Sequence, residues 1–179
     1  MIYAVLTLVA LILFCNGLLV LGVFGGKQMA VLNVGVGVGI GVMGIVIGFT
    51  DALKAVGPTQ SLVAAASCLV FAFLYILLAG EIWAGSDFKA LAWYCLIGGI
   101  FMFLIGLGFS HLLGKTLIAS SQFAVFWYMW AVLFWLFWAV WGLGKASWAK
   151  FTGFYTIFVA FFTALYPVIA FITLGRFGW

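Results

Sequence analysis

The sequence predicts an all-α integral membrane protein, built as a bundle of six transmembrane helices. Of its 179 residues, 69% are hydrophobic and only 6% are charged, with a mean hydropathy of +1.40, which excludes a water-soluble globule. Six apolar segments of about 18 to 25 residues are each long enough to cross the ~30 Å hydrocarbon core of a bilayer. They form one transmembrane domain over residues 1–179, with predicted spans at 2–24, 29–50, 60–80, 90–110, 122–143 and 151–173.

Composition also excludes several other classes of protein. The seven basic residues are spread singly along the chain, so no nucleic-acid patch is expected. The three cysteines stand alone in apolar runs and are interpreted as small buried hydrophobes rather than metal ligands. The sequence lacks a Ser/His/Asp set, an HExxH motif and a phosphate loop, so neither an enzyme nor a cofactor is predicted. The first apolar run is interpreted as a retained span rather than a signal peptide. No basic residue precedes it, since the first charge in the sequence is Lys27, and no A-x-A cleavage site follows it.

The first two spans carry amides and closely spaced glycines. Asn16 lies in the first span and Asn33 in the second. A hydrogen bond between helices is the favoured interpretation of both amides, and contact with a solute is the alternative. In the second span small residues four apart give a smooth face for another helix, within the protomer or between protomers: Gly35 with Gly39, Gly37 with Gly41, and Gly44 with Gly48.

The third, fourth and sixth spans contribute further polar positions. Phe71 and Tyr75 are one turn apart in the third span, and a buried phenol hydroxyl needs a hydrogen-bond partner. Trp93 lies near the start of the fourth span, and His111 closes it as a solvated end residue or, less readily, a pH switch. Pro167 is expected to kink the sixth span and to free a backbone carbonyl.

The fifth span is dominated by aromatic side chains. Residues 122–143 hold five tryptophans, four phenylalanines and one tyrosine without a charge. At about 100° per residue one face is aromatic from end to end, while Tyr128 and Trp135 point elsewhere. Interfacial belts occur only at the ends of a span, so this stripe either packs against neighbouring helices, which is favoured from this helix alone, or lines a passage for a solute. Its members are Phe123, Trp127, Trp130, Phe134, Phe137, Trp138 and Trp141.

The charges indicate orientation and limit the type of transport. No Asp, Glu, Lys or Arg falls inside a predicted span, which argues against a pump or proton-coupled carrier, and no ion-filter motif is present. The type of transport that these residues can support is the passage of a neutral polar solute past rings, hydroxyls and amides. Basic residues favour the cytoplasmic side of a membrane. One side of the bundle has four of them and the other side has three, so the side with four is expected in the cytoplasm and both termini are then outside. The four are Lys27, Lys89, Lys145 and Lys150, and the three are Lys54, Lys115 and Arg176.

Motifs distributed over the whole chain resemble the AmiS/UreI family of urea and short-chain amide channels. Each is weak alone, but their order and spacing together are fairly specific. They are Leu6, Val9 and Leu13 ahead of Asn16–Gly17, AVxN at 30–33, FxFxY at 71–75, DFKxxxWY at 87–94, SH at 110–111, WxxW at 127–130, and FT at 151–152 followed by TAxxP at 163–167.

The resemblance implies a passive channel for urea or small aliphatic amides that serves a cytoplasmic urease or amidase. It implies a protomer with its own pore, assembled as a homohexamer around a lipid-filled centre in the bacterial cytoplasmic membrane. The pore residues that it implies are Leu6, Val9, Leu13, Phe71, Tyr75, Phe123, Trp127, Trp130 and Phe134, with Asn16, Asn33, Trp93 and His111 as polar groups that contact either the solute or another helix.

Several positions depart from the family's acid-gated urea channel. Phe123 and Phe134 stand where that channel has tryptophan, and Val159 replaces a glutamate. The loop from Asp51 to Thr59 is short and lacks histidine, so conduction is not expected to be acid-gated. Tyr75 and the indole N–H groups are expected to hydrogen-bond the solute. The alternative function is a non-transporting structural or assembly subunit, in which the aromatic stripe only packs helices.

Overall fold

Six apolar helical crossings make up the structure, a computed structural model that describes residues 2–50, 53, 59–110, 112 and 121–175. The described residues contain no strand, and the prediction of a six-helix membrane bundle is confirmed. The fifth crossing ends in a π-helical segment, Trp138–Gly142, and the sixth is α6, a π-helical segment (Ala160–Leu165) and α7 in succession. The α-helical bounds are α1 Ile2–Val20, α2 Gly26–Thr50, α3 Gln60–Ala84, α4 Lys89–Phe109, α5 Ser121–Phe137, α6 Ala149–Val159 and α7 Tyr166–Leu174.

Four of the helical crossings extend beyond the predicted spans and include charged residues at their ends. The third span was predicted to end at residue 80, but α3 continues to Ala84 and includes Glu81. It ends where Gly85 adopts a left-handed conformation with φ of 62°, and the Gly85 N–H bonds the Ile82 carbonyl. A span predicted from hydropathy ends at the first charged residue, whereas the helix itself ends at its glycine cap. At the other three ends, basic residues occupy first turns: Lys27 in α2, Lys89 in α4 and Lys150 in α6.

The crossings pack mainly as three neighbouring pairs: α2 with α3, α4 with α5, and α1 with the sixth crossing. Glycine allows the close approach in each pair. A Cβ added at Gly17 of α1 would lie 2.9 Å from the backbone oxygen of Gly153 in α6, so these two backbones touch.

The glycine face of α2 packs largely within the protomer. A Cβ added at Gly37 would lie 2.9 Å from the Ala72 carbonyl oxygen of α3, and one added at Gly44 would lie 2.6 Å from the Cβ of Cys68. A Cβ at Gly35, by contrast, would have no neighbour within 4 Å. Of the two alternatives left open by the sequence, contact within the protomer accounts for these closest approaches.

The two amides of α1 and α2 bond each other. The Asn16 side-chain N–H donates to the Asn33 Oδ1 atom at 2.9 Å, and Asn33 donates back to the Asn16 Oδ1 atom at 2.8 Å. Asn33 also donates to the Met29 carbonyl at 2.8 Å and is fully buried. These bonds match the favoured interpretation of the amides, and they fix the register of α1 against α2.

We expect Gly44→Ala to destabilise the protein and Gly35→Ala to leave it intact. The added methyl at position 44 collides with Cys68, and overpacking of this kind costs about 1–3 kcal/mol. At position 35 the methyl meets open space, and alanine is favoured over glycine in a helix by up to about 1 kcal/mol. Thermal unfolding of both variants in the same detergent measures the difference. Equal melting temperatures would contradict the close packing of α2 on α3.

A candidate solute pathway through the bundle

Three cavities follow one another between the helices. The first, of about 390 Å³, opens on the side where α1 begins and α7 ends, here called the termini side. A central cavity of about 30 Å³ follows. A third cavity of about 310 Å³ lies on the opposite side of the bundle. The central volume is less than a tenth of that of either outer cavity, so the series is wide at both ends and narrow in the middle.

Shared lining residues connect the cavities. Phe71 lines both the termini-side and the central cavity. Leu19, Val20, Leu78 and Trp141 line both the central and the opposite-side cavity. Because α1, α3 and α5 contribute residues to successive cavities along their lengths, the series runs parallel to these helices.

Aromatic rings form the narrow section. The Phe71 ring meets Trp130 edge-on at a centroid distance of 5.0 Å and Phe134 at 5.7 Å. It also stacks with Tyr75 at 6.2 Å. All four side chains are buried. Edge-on and stacked geometries are the favourable ones for aromatic pairs, so the rings are packed against each other rather than lining an open hole.

The nine residues that the sequence predicts for the pore all line the series. Leu6, Val9, Phe123, Trp127 and Trp130 line the termini-side cavity. Leu13, Tyr75 and Phe134 line the central cavity, and Phe71 lines both. Their placement is therefore compatible with a pathway, while their role in conduction stays a prediction.

The four additional polar residues have different positions. Asn16 lines the central cavity, whereas Asn33 is buried against α1 and lines none of the three cavities. Trp93 is 56% exposed and packs at a centroid distance of 6.3 Å from Trp138, so it is on the outer face of the bundle rather than in the series. His111 lies outside the described residues, as does most of the predicted loop at 51–59.

Two polar groups face the narrow section from α1 and α3. The Tyr75 side chain is 1% exposed, and its hydroxyl has no hydrogen-bond partner among the described residues. Leaving such a group unbonded costs about 1–3 kcal/mol. Asn16 uses one of its two amide N–H groups on Asn33. The narrow section therefore keeps unused hydrogen-bonding capacity on α1 and on α3.

The indole of Trp130 is held by a threonine of the sixth crossing. Its N–H donates to the Thr163 hydroxyl oxygen at 2.7 Å, and that hydroxyl donates to the Val159 carbonyl at 2.7 Å. The expectation that the Trp130 N–H bonds a solute is therefore wrong for this conformation, because the donor is already used. Thr163 lies in the π-helical segment four residues before Pro167, which cannot donate to the Thr163 carbonyl.

Sequence reasoning missed part of the lining of α5. Phe126 and Leu133 line the cavities although they lie just outside the predicted aromatic arc, whereas Trp138, which was included, does not. The lining face is thus turned slightly from the aromatic stripe. Trp138 begins the π-helical segment and packs on Gly142, where an added Cβ would lie 2.8 Å from its ring. A hydrophobic pattern at 3.6 residues per turn does not signal such a widened turn.

The fold and the pathway define a polytopic membrane protein of the transporter class. The AmiS/UreI family transporter model matches residues 1–175, and the chain belongs to this family.

Two curated relatives cover most of the chain. A Rhodococcus erythropolis protein named "Putative transporter protein AmiS2" is 30% identical over 165 residues, which are 92% of this chain and 76% of that protein. A Mycolicibacterium smegmatis protein named "Putative amidate substrates transporter protein" is 28% identical over 160 residues, covering 89% of this chain and 70% of that protein. The resemblance inferred from short motifs is therefore confirmed at the level of the family.

Solved structures share the whole fold. A cryo-EM structure of the Helicobacter pylori urea channel in a closed state superimposes with a TM-score of 0.80 at 24% identity, covering 98% of this chain and 100% of that chain. A crystal structure of the urea channel from the same pathogen gives a TM-score of 0.78 at 25% identity, covering 98% and 99%. The six-crossing architecture is thus common to both proteins.

We expect Thr163→Val to release the Trp130 indole while keeping the side-chain shape. The matched control is Thr156→Val, because Thr156 is also buried on the sixth crossing but bonds only the Thr152 carbonyl. An unbonded buried indole N–H costs about 1–3 kcal/mol, so Thr163→Val should lower the melting temperature more than the control. Thr163→Ser should restore it. Ultraviolet resonance Raman bands that report indole hydrogen bonding should change in Thr163→Val alone; identical spectra in the two valine variants would contradict the bond.

Proposed function

We propose that the protein is a passive channel for urea or short-chain aliphatic amides. The observation that carries the proposal is the series of three cavities through the bundle, whose narrow centre has aromatic and aliphatic walls, two hydrogen-bonding side chains and no charged residue. The name of the Mycolicibacterium relative, an amidate transporter, and the urea channels that share the fold point to the same solute class.

The narrow section favours small neutral solutes over ions. A planar amide can lie against ring faces and exchange water for hydrogen bonds with Tyr75 and Asn16, so much of its dehydration is compensated. An ion finds no compensating charge among the residues of the central cavity. Even on the lower, insertion-derived scale, a charge at the centre of a bilayer costs about 2.5–3.5 kcal/mol. Ring faces return part of that cost to a cation and none to an anion, so anions should be excluded more strictly.

The orientation and the setting follow from the charges and from the family. We place the termini outside, because Lys27, Lys89, Lys145 and Lys150 share the opposite side and basic residues favour the cytoplasm. The family resemblance implies the bacterial cytoplasmic membrane. Solute that enters the cell through the protein then reaches a urease or amidase in the cytoplasm. The protein itself passes the solute unchanged, since the described residues that line the cavities include no histidine that could act as the base for a serine or cysteine nucleophile.

We further propose a homohexamer in which each protomer keeps its own pathway and lipid fills the centre of the ring. Large apolar side chains cover the outside of the bundle, including Val31, Val38, Val42 and Phe49 of α2. In a bilayer such a surface serves equally for lipid and for a neighbouring protomer. The number six comes from the family resemblance. The α2 glycines do not support it, because the closest of them already pack against α3 within the protomer.

The competing function is a structural or assembly subunit that transports nothing. The volume of the central cavity favours it, because about 30 Å³ is less than a tenth of the volume of either outer cavity. A channel in this conformation must move rings to pass an amide, whereas a structural subunit need not. The two functions differ in one measurable quantity, the permeability of the bilayer that contains the protein.

Reconstitution separates these alternatives. Liposomes with the purified protein should admit urea or acetamide faster than empty liposomes in stopped-flow light scattering. Sodium and chloride leakage, measured with ion-sensitive dyes, should match that of the empty vesicles, because the narrow section has no charge. Liposomes that hold the same mass of an unrelated six-helix membrane protein control for leakage at the protein–lipid boundary. Amide and urea permeability equal to that control sinks the channel proposal.

We expect the flux to change little between pH 5 and pH 8. The sequence has one histidine, the only side chain whose ordinary pKa lies in this interval. A side-chain hydrogen bond from Lys89 lowers the pKa of the exposed Asp87 carboxyl, so Asp87 stays ionised throughout. Urea uptake at graded external pH provides the measurement. A steep rise on acidification would refute the expectation, and its loss in His111→Ala would identify the sensor.

A further inference from the structure

The cavity on the side opposite the termini contains one buried acidic side chain. Its walls are otherwise aliphatic or aromatic, with glycines at the helix ends, and Glu81 of α3 lines it while being only 8% exposed. Glu81 lies in the last turn of α3, where the Ser86 N–H donates to the backbone carbonyl of Glu81 at 3.1 Å. The other lining residues are Leu19, Val20, Gly26, Leu78, Ile82, Gly85, Phe88, Val140, Trp141 and Ala149.

The Glu81 carboxylate has no ion pair among the described residues. The basic group nearest in sequence is Lys89, and it is paired instead with Asp87 at 2.7 Å on the exposed surface. None of the other residues that line the cavity carries a charge. Glu81 thus supplies the one acidic group in the described lining of this cavity, and a carboxylate there attracts N–H donors and, above all, cations.

Aromatic rings stand on another wall of the same cavity. Phe88 and Trp141 stack at a centroid distance of 5.1 Å with 20° between their planes, and Trp141 stacks on Phe137 at 4.9 Å. Phe88, which has φ of 60°, is the N-cap residue of α4 and forms one end of this stack. A cation is attracted to the face of an aromatic ring, and Phe88 stacks on Trp141 through only one of its two faces, whereas Trp141 is stacked by both Phe88 and Phe137. A carboxylate accepts two parallel N–H bonds from a planar donor.

We propose that this cavity binds small monovalent cations with N–H donors, planar ones such as guanidinium best, with Glu81 as the anionic ligand and Phe88 as the aromatic wall. Trp141 also lines the central cavity, as do Leu19, Val20 and Leu78. A bound cation therefore stands across the pathway. It does not continue through the uncharged centre, so it blocks solute flux, a consequence that rests on the proposed channel function.

Guanidinium is the probe, because it has the planar shape and N–H groups of urea together with a charge. Its binding to the detergent-solubilised protein is measured by saturation-transfer NMR at millimolar concentrations, well below those that denature proteins. The parent should show transfer that potassium chloride does not abolish. Glu81→Gln keeps the shape but removes the charge and should weaken binding about tenfold, which corresponds to ~1.4 kcal/mol. The matched control is Asp87→Asn, which removes the exposed carboxylate of the adjacent loop and should bind as the parent does.

The same variants are compared in urea or acetamide flux. Guanidinium on both faces of the vesicles, which makes the orientation of insertion irrelevant, should slow the parent and Asp87→Asn severalfold and leave Glu81→Gln nearly unaffected. If Glu81→Gln does not fold, Phe88→Leu keeps the carboxylate, removes one ring and should weaken both binding and block.

The outcomes distinguish this site from the channel itself. Absence of guanidinium binding to the parent, or equal binding to the parent and Glu81→Gln, overturns the site even when the protein conducts urea. Binding that depends on Glu81 in a protein without any urea or amide flux supports the site and refutes the channel function instead.

Discussion

The narrow section depends on the space that α4 leaves for the rings of α5. Three glycines of α4 stand against three large rings: Gly98 against Phe134, Gly99 against Trp135 and Gly106 against Tyr128. A Cβ at Gly106 would lie 2.5 Å from the Tyr128 ring, so any side chain there would push the two helices apart. Since α4 and α5 form one of the packed pairs, this spacing determines how far Phe134 reaches into the bundle. The glycines of α4 thus determine how much space the rings of α5 leave for the pathway.

Hydrogen bonds between crossings then fix which side chains can move. The Trp130 indole is tied to Thr163, and Asn16 is tied to Asn33, both through buried bonds shorter than 3 Å. Because all four side chains are buried, breaking such a bond leaves a donor or an acceptor without a partner, at a cost of about 1–3 kcal/mol. Helix positions and the Trp130 ring are accordingly the stable parts of the site, while the purely apolar contacts around them have no directional restraint.

The sequence predicted the fold well because a bilayer requires long apolar helices, and six such segments stand out in any hydropathy scan. Its errors arose where local geometry, not hydrophobicity, decides. Glu81 was assigned to a loop because it is charged, yet α3 continues to the left-handed cap at Gly85. The pairing of Asn16 with Asn33 was foreseeable, since an amide in hydrocarbon seeks another polar group. The bond between Trp130 and Thr163 was not, because it joins positions 33 residues apart and depends on how a π-helical segment turns the sixth crossing.

Passage through the centre requires rings to move, and the contacts indicate which rings these are. The central cavity, at about 30 Å³, is closed in by packed rings and is less than a tenth of the volume of either outer cavity. Trp130 is held by its hydrogen bond, whereas Phe71 and Phe134 meet each other edge-on at 5.7 Å and carry no polar atom. Rotating a phenylalanine costs ring contacts worth about 0.5–1.5 kcal/mol per aromatic pair, and it strands no buried donor. Displacing Trp130 would add the loss of a buried hydrogen bond. We therefore expect the two phenylalanines to open the pathway while Trp130 and Thr163 keep one wall in place. The fixed wall then determines which solutes pass, and the movement of the phenylalanines determines how fast they pass.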